Sequence, residues 1–110
     1  MIRHLVLFRL RPGSPEERAA HLAGMRSRLE GLRDAVPGTR SIHVDPDVVG
    51  GPNHWDVALV SEFEDRIALD AYQAHPDHRA AIAFLADFVT ERSIADVEMR
   101  PDLPQDDAGS

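Results

Sequence analysis

Apolar and polar positions along this chain alternate between an extended and a helical period. Residues 2–10 (IRHLVLFRL) are apolar on both faces of an extended segment, with Ile2, Val6, Phe8 and Leu10 on one side and Leu5 and Leu7 on the other. Such a strand is buried from both sides, as in the middle of a sheet. Ser14-Pro15-Glu16-Glu17 then reads as a helix start: Ser14 as N-cap, Pro15 in the first helical position and Glu17 closing a capping box. Leu22, Met25, Leu29, Leu32 and Val36 follow at three- and four-residue spacing, which predicts one amphipathic helix ended by Pro37-Gly38. Residues 41–44 alternate as a short, exposed strand stopped by Asp45-Pro46-Asp47, with His43 pointing outward. Residues 55–63 (WDVALVSEF) form a second strong strand, with Val57, Leu59, Ser61 and Phe63 on one face and Ala58 and Val60 on the other.

Glu64-Asp65 opens a short helix carrying Ile67, Leu69, Ala71 and Tyr72. Pro76 breaks it, biases His75 away from helical geometry and suits the first position of the next helix. That helix is predicted over residues 76–91, with Ile82, Phe84, Leu85, Phe88 and Val89 apolar. Residues 93–99 alternate strictly, Ile94, Asp96 and Glu98 against Ala95, Val97 and Met99, as a last strand at an edge. Residues 101–110 are acidic and have little to bury, so they are expected to be a disordered tail behind one domain over residues 1–100. The order β-α-β-β-α-β predicts an α+β, ferredoxin-like antiparallel sheet with helices on one face. The other face then carries Leu5, Leu7, Ala58 and Val60, an apolar patch that predicts a homodimer packed sheet to sheet.

A net charge of −7 leaves no electrostatic footprint for nucleic acid or an anionic membrane. The opening apolar run is too short and too charged for a signal peptide or a membrane span, so a cytoplasmic protein is expected. There is no cysteine, which excludes disulfides and thiolate metal sites. The candidate chemistry lies in Tyr72-Gln73-Ala74-His75-Pro76-Asp77-His78, which sets one phenol, two imidazoles and a carboxylate at a helix–helix corner. There, His75 and Asp77 serve equally well as helix caps. His4, on the Val6 and Phe8 face, reads in the first instance as a core histidine with one hydrogen bond.

The opening Ile2-Arg3-His4-Leu5-Val6, the strand ending in Glu62-Phe63, the Tyr72-to-His78 run and the closing Ile94-Ala95-Asp96-Val97-Glu98 resemble the stress-responsive A/B barrel (Dabb) family. That family belongs to the dimeric α+β barrel superfamily, and the resemblance covers Met1 to about Arg100. It implies a barrel formed by two subunits. Plant members include a cyclase that closes a linear polyketide by intramolecular aldol condensation. Its acid–base pair corresponds to Tyr72 and His78, and two further pocket histidines correspond to His4 and His75. A pocket histidine on the third strand of that cyclase is Val57 here, a departure that makes the pocket less polar. Other superfamily relatives are monooxygenases, lactone isomerases and haem proteins, and no dedicated haem-ligand signature is present.

The expected chemistry is cofactor-free acid–base catalysis, with Tyr72 and His78 catalytic. His4, Val6, Phe8, Val57, Leu59, His75, Ile82 and Ile94 would line one apolar pocket for a small, polyketide-like ligand within a single subunit. His75 stands at its rim or caps the helix. Two other readings stay open: a stress-related binding module without turnover, and metal binding by His75 and His78 with Asp77 or His4.

Overall fold

Strand β1 (Ile2–Leu10) is the one on which the sheet assembles, and its two flanks are both paired. The computed structural model describes residues 1–100. The expected tail, residues 101–110, lies outside the described residues. The remaining elements are α1 (Pro15–Glu30), α2 (Leu32–Ala35), β2 (Thr39–Pro46), β3 (Val57–Phe63), α3 (Arg66–Ala74), α4 (Pro76–Leu85) and β4 (Val89–Glu98). The strand order is β2-β3-β1-β4, every neighbouring pair antiparallel, with helices on one face. This is the ferredoxin-like α+β arrangement that the alternation of periods predicts.

The core lies between sheet and helices. Val6, Phe8 and Leu10 of β1 and Val57, Leu59 and Phe63 of β3 meet Met25, Leu29 and Leu32, together with Leu69, Tyr72, Ala81 and Leu85. The capping box forms as expected: Ser14 Oγ accepts from the Glu17 amide and the Glu17 carboxylate from the Ser14 amide, each at 3.1 Å. The single helix expected up to Val36 is broken at Gly31, and α2 forms a separate turn that keeps Leu32 and Val36 buried. Gly31 keeps right-handed helical angles, φ −64° and ψ −18°, and glycine's poor helix propensity makes it the weak point of the run.

Two boundaries differ from the expectation at the other end of the chain. Helix α4 stops at Leu85 rather than reaching residue 91, and β4 begins at Val89 rather than residue 93. Phe88 and Val89 fit either period. The ladder decides between them: Val89 pairs with Leu10, and the Arg11 amide donates to the Phe88 carbonyl at 2.7 Å. Strand β2 runs through Pro46, which an edge strand tolerates, and β3 begins two residues later than expected.

The face of the sheet away from the helices carries Leu5, Leu7, Ala58, Val60 and Val97. Leu7 is 38 % and Val97 43 % exposed. Gly38, between α2 and β2, has φ +85°, and a Cβ there would stand 2.6 Å from the Ala68 Cβ. Gly38→Ala combines a left-handed backbone with overpacking. It is expected to cost about 2–4 kcal/mol of folding stability, read from urea unfolding.

Candidate functional site

The helices do not cover the sheet evenly. Helices α1 and α2 pack on β2, α3 packs on β2 and β3, and α4 leans on α1 and α3. The helix-side face of β4 is left open, and a cavity of about 350 Å³ lies between it, β1 and α4. That is the small end of the range for ligand pockets.

Three polar groups reach this cavity from three elements. His4 comes from β1, Tyr72 from the last turn of α3 and His78 from the first turn of α4. Pro76 sets this geometry. The His75 backbone is extended at φ −64° and ψ 137°, α3 ends there and α4 restarts at Pro76. The corner brings the Tyr72 and His78 rings to 4.5 Å between centroids, and the His4 and Tyr72 rings to 6.3 Å. Val6, Phe8, Leu59, Ile82 and Ile94 line the walls.

Burial sets the charge states of the pair. It pushes the Tyr72 phenol up to about 12, so the hydroxyl stays protonated and able to donate. Burial also pushes His78 below the ordinary histidine value. The Gln73 backbone opposes this, while the nearby charges of His4, Arg92 and His75 add to it. At neutral pH the site thus holds a neutral imidazole beside a neutral phenol.

His4 has a partner that its own sequence neighbourhood does not reveal. Its Nδ1 is hydrogen-bonded to the Asp96 carboxylate across the β1–β4 ladder. An ionised carboxylate only accepts, so Nδ1 is the donor in this hydrogen bond and Nε2 is the ring nitrogen left outside it. The signal for Asp96 was present in the strict alternation of the last strand, which sets Asp96 on the same face as Ile94. Only the register, with Ile94 opposite Val6 and Asp96 opposite His4, makes it informative. Leu29, Gln73, Arg79 and Arg92 also line the cavity and were not anticipated.

Two expected lining residues are elsewhere. Val57 is buried at the start of β3, near Ala19 and Leu22 of α1, because the cavity opens on the β4 side of β1 and Leu59 is its limit on β3. His75 is the N-cap of α4, its Nδ1 accepting from the Asp77 amide at 3.1 Å, and it does not line the cavity. His75→Ala is therefore expected to cost about 1 kcal/mol in chemical unfolding, with His75→Asn retaining most of it. Among the described residues no three histidine or carboxylate side chains gather as a metal-binding group. No helix among them is long and apolar enough to cross a membrane.

Comparison with known proteins gives a consistent picture. Residues 2–99 match the family model described as Stress responsive A/B Barrel Domain. An uncharacterised protein of Streptomyces coelicolor is 35 % identical over 90 residues, covering 82 % of this chain and 92 % of its own. Two crystal structures share the fold, both described as dimeric, ferredoxin-like proteins of unknown function. The one from Bacteroides fragilis has a TM-score of 0.77 at 32 % identity, covering 89 % of this chain and 95 % of its own. The one from Thermobifida fusca has 0.73 at 27 %, covering 89 % and 90 %.

Proposed function

Since this chain belongs to the stress responsive A/B barrel domain family, we propose that its cavity binds a small, largely apolar carbonyl compound and moves a proton at the carbon beside the carbonyl. The observation that carries this reading is the pair of Tyr72 and His78, 4.5 Å apart in one cavity and both neutral at pH 7. A neutral His78 is a base without first losing a proton. A phenol held protonated donates to the oxygen on which charge develops.

The reaction we favour is an intramolecular aldol closure of a linear polyketide. His78 takes a proton from a carbon between two carbonyls, and the Tyr72 hydroxyl donates to the resulting enolate oxygen. The enolate carbon then attacks a distal carbonyl of the same chain. One carbon–carbon bond forms, the carbonyl π bond breaks, and the new alkoxide takes back the proton from His78. Proton balance closes within the site and no cofactor enters. The Asp96–His4 pair holds the His4 ring fixed, so that Nε2 can accept from a ligand hydroxyl or enol.

The bare outer sheet face supports a second part of the reading, a homodimer with the Leu7 faces packed together. A cytoplasmic location fits both parts.

The test is a set of linear poly-β-ketones incubated with the protein and followed by liquid chromatography with mass detection. Cyclised product forming faster than in buffer is the expected result. Saturable binding without product would favour a ligand-binding module, and neither binding nor product would remove the reading altogether.

A further inference from the structure

Arginine supplies every side-chain cation of this chain: there are twelve and no lysine, against nineteen carboxylates. In so acidic a protein, arginines are readily engaged by carboxylates, and five of them meet one within 4.0 Å. Three others are also committed, Arg28 over the Phe84 ring and Arg11 and Arg33 to backbone carbonyls. Arg79 and Arg92 have no carboxylate within that distance among the described residues, and both line the same cavity.

They stand on opposite walls. Arg79 follows His78 on α4. Arg92 pairs with Phe8 in the ladder and shares a strand face with Ile94 and Asp96. Arg92 is close enough to His78 for its charge to act on that ring. No carboxylate lines the cavity among the described residues, so its charged lining is purely cationic in a chain of net charge −7. The same cavity offers apolar wall from Val6, Phe8, Ile82 and Ile94 beside its polar groups.

We infer that the cavity selects an amphipathic carboxylate, its anionic end held between Arg79 and Arg92 and its apolar body between Val6, Phe8, Ile82 and Ile94. This rests on the proposed function and deepens it: the substrate is a keto acid, anchored by its acid so that a carbonyl further along the chain meets Tyr72 and His78. Guanidinium forks match the two oxygens of a carboxylate, and a carboxylate brings the counter-charge that the chain does not provide there. A positive mouth on a negative protein also draws anions locally against the overall repulsion.

The test uses a matched pair of probes, 4-phenylbutanoate and 4-phenylbutan-1-ol, which share an apolar body and differ in the head group. Isothermal calorimetry at low salt is expected to give the acid at least about a tenfold lower Kd, since each guanidinium–carboxylate bond is charge-assisted but solvent-exposed. In Arg79→Gln/Arg92→Gln the acid should fall to the level of the alcohol, while alcohol affinity and melting temperature stay unchanged. Raising the salt should narrow the gap in the wild type only. Equal affinities in the wild type, or an advantage that survives in the double variant, would overturn the anion assignment and leave the apolar pocket standing. Failure of both probes to bind would overturn the pocket reading and this inference with it.

Discussion

A His78→Ala chain is expected to lose about two to four orders of magnitude in the initial rate of polyketone cyclisation while keeping its fold. The loss is large because His78 is the one base in the cavity that lies against Tyr72, at 4.5 Å between rings. The fold survives because His78 is only half-buried and packs at the rim of α4 rather than in the core. Tyr72→Phe should be milder, since the ring still fills its buried position and only the hydroxyl goes. The pH dependence follows from the same burial. Protonation removes the base, so the rate should rise with pH along an acid limb whose midpoint lies below 6.5. It should hold until Tyr72 ionises near 12. Stability shows the corresponding signs. Just below pH 6.5 the unfolded chain binds more protons at this histidine than the folded one does. The His78 contribution is thus complete above that value and lost as the pH falls through the lowered folded pKa. Tyr72 acts in the opposite direction: its contribution is complete below pH 10 and lost as the pH rises toward about 12.

Leu7→Glu is expected to turn a micromolar dimer into a monomer, read by sedimentation velocity. Leu7 faces away from the helices, opposite Ala58 on β3 and Ser93 on β4, at the middle of the bare apolar face. Two copies packed on that face would bring two carboxylates into an apolar layer whose neighbouring cation on the same strand face, Arg9, already meets Glu91 and the Trp55 ring. A buried, unpaired charge costs several kcal/mol, enough to weaken association by more than about a hundredfold. The monomer should remain folded, because in a single subunit position 7 is open to water. A wild type that sediments as a monomer at micromolar concentration would contradict the dimer outright.

The strong strands were legible because their alternation is long. In β1 and β3 the inward and outward sets separate cleanly, and the buried positions match them. The corner at His75-Pro76 was legible because proline restricts itself and its predecessor. The β4 boundary was not, since Phe88 and Val89 satisfy both periods and only pairing with β1 favours the strand. His4, Tyr72 and His78 were each visible as candidates, and the structure brings all three to one cavity. Val57 lies outside the cavity for a reason no single strand records: it shares a face with Leu59, but the uneven lean of the helices opens the cavity over β4 instead. Arg79 and Arg92 look like ordinary surface charges until register and helix docking set them around the cavity, and Asp96 does until the register sets it against His4.

Deuterium wash-in at the α-carbon of 4-phenylbutan-2-one in D₂O, followed by proton NMR at neutral pH, tests the proton-transfer claim most directly. It needs neither the natural substrate nor ring closure. The wild-type protein should exchange these protons well above the buffer rate, with saturation in ketone, and His78→Ala should return the rate close to that of buffer. Exchange that is no faster with the protein than without it, or that is undiminished in His78→Ala, would contradict the account.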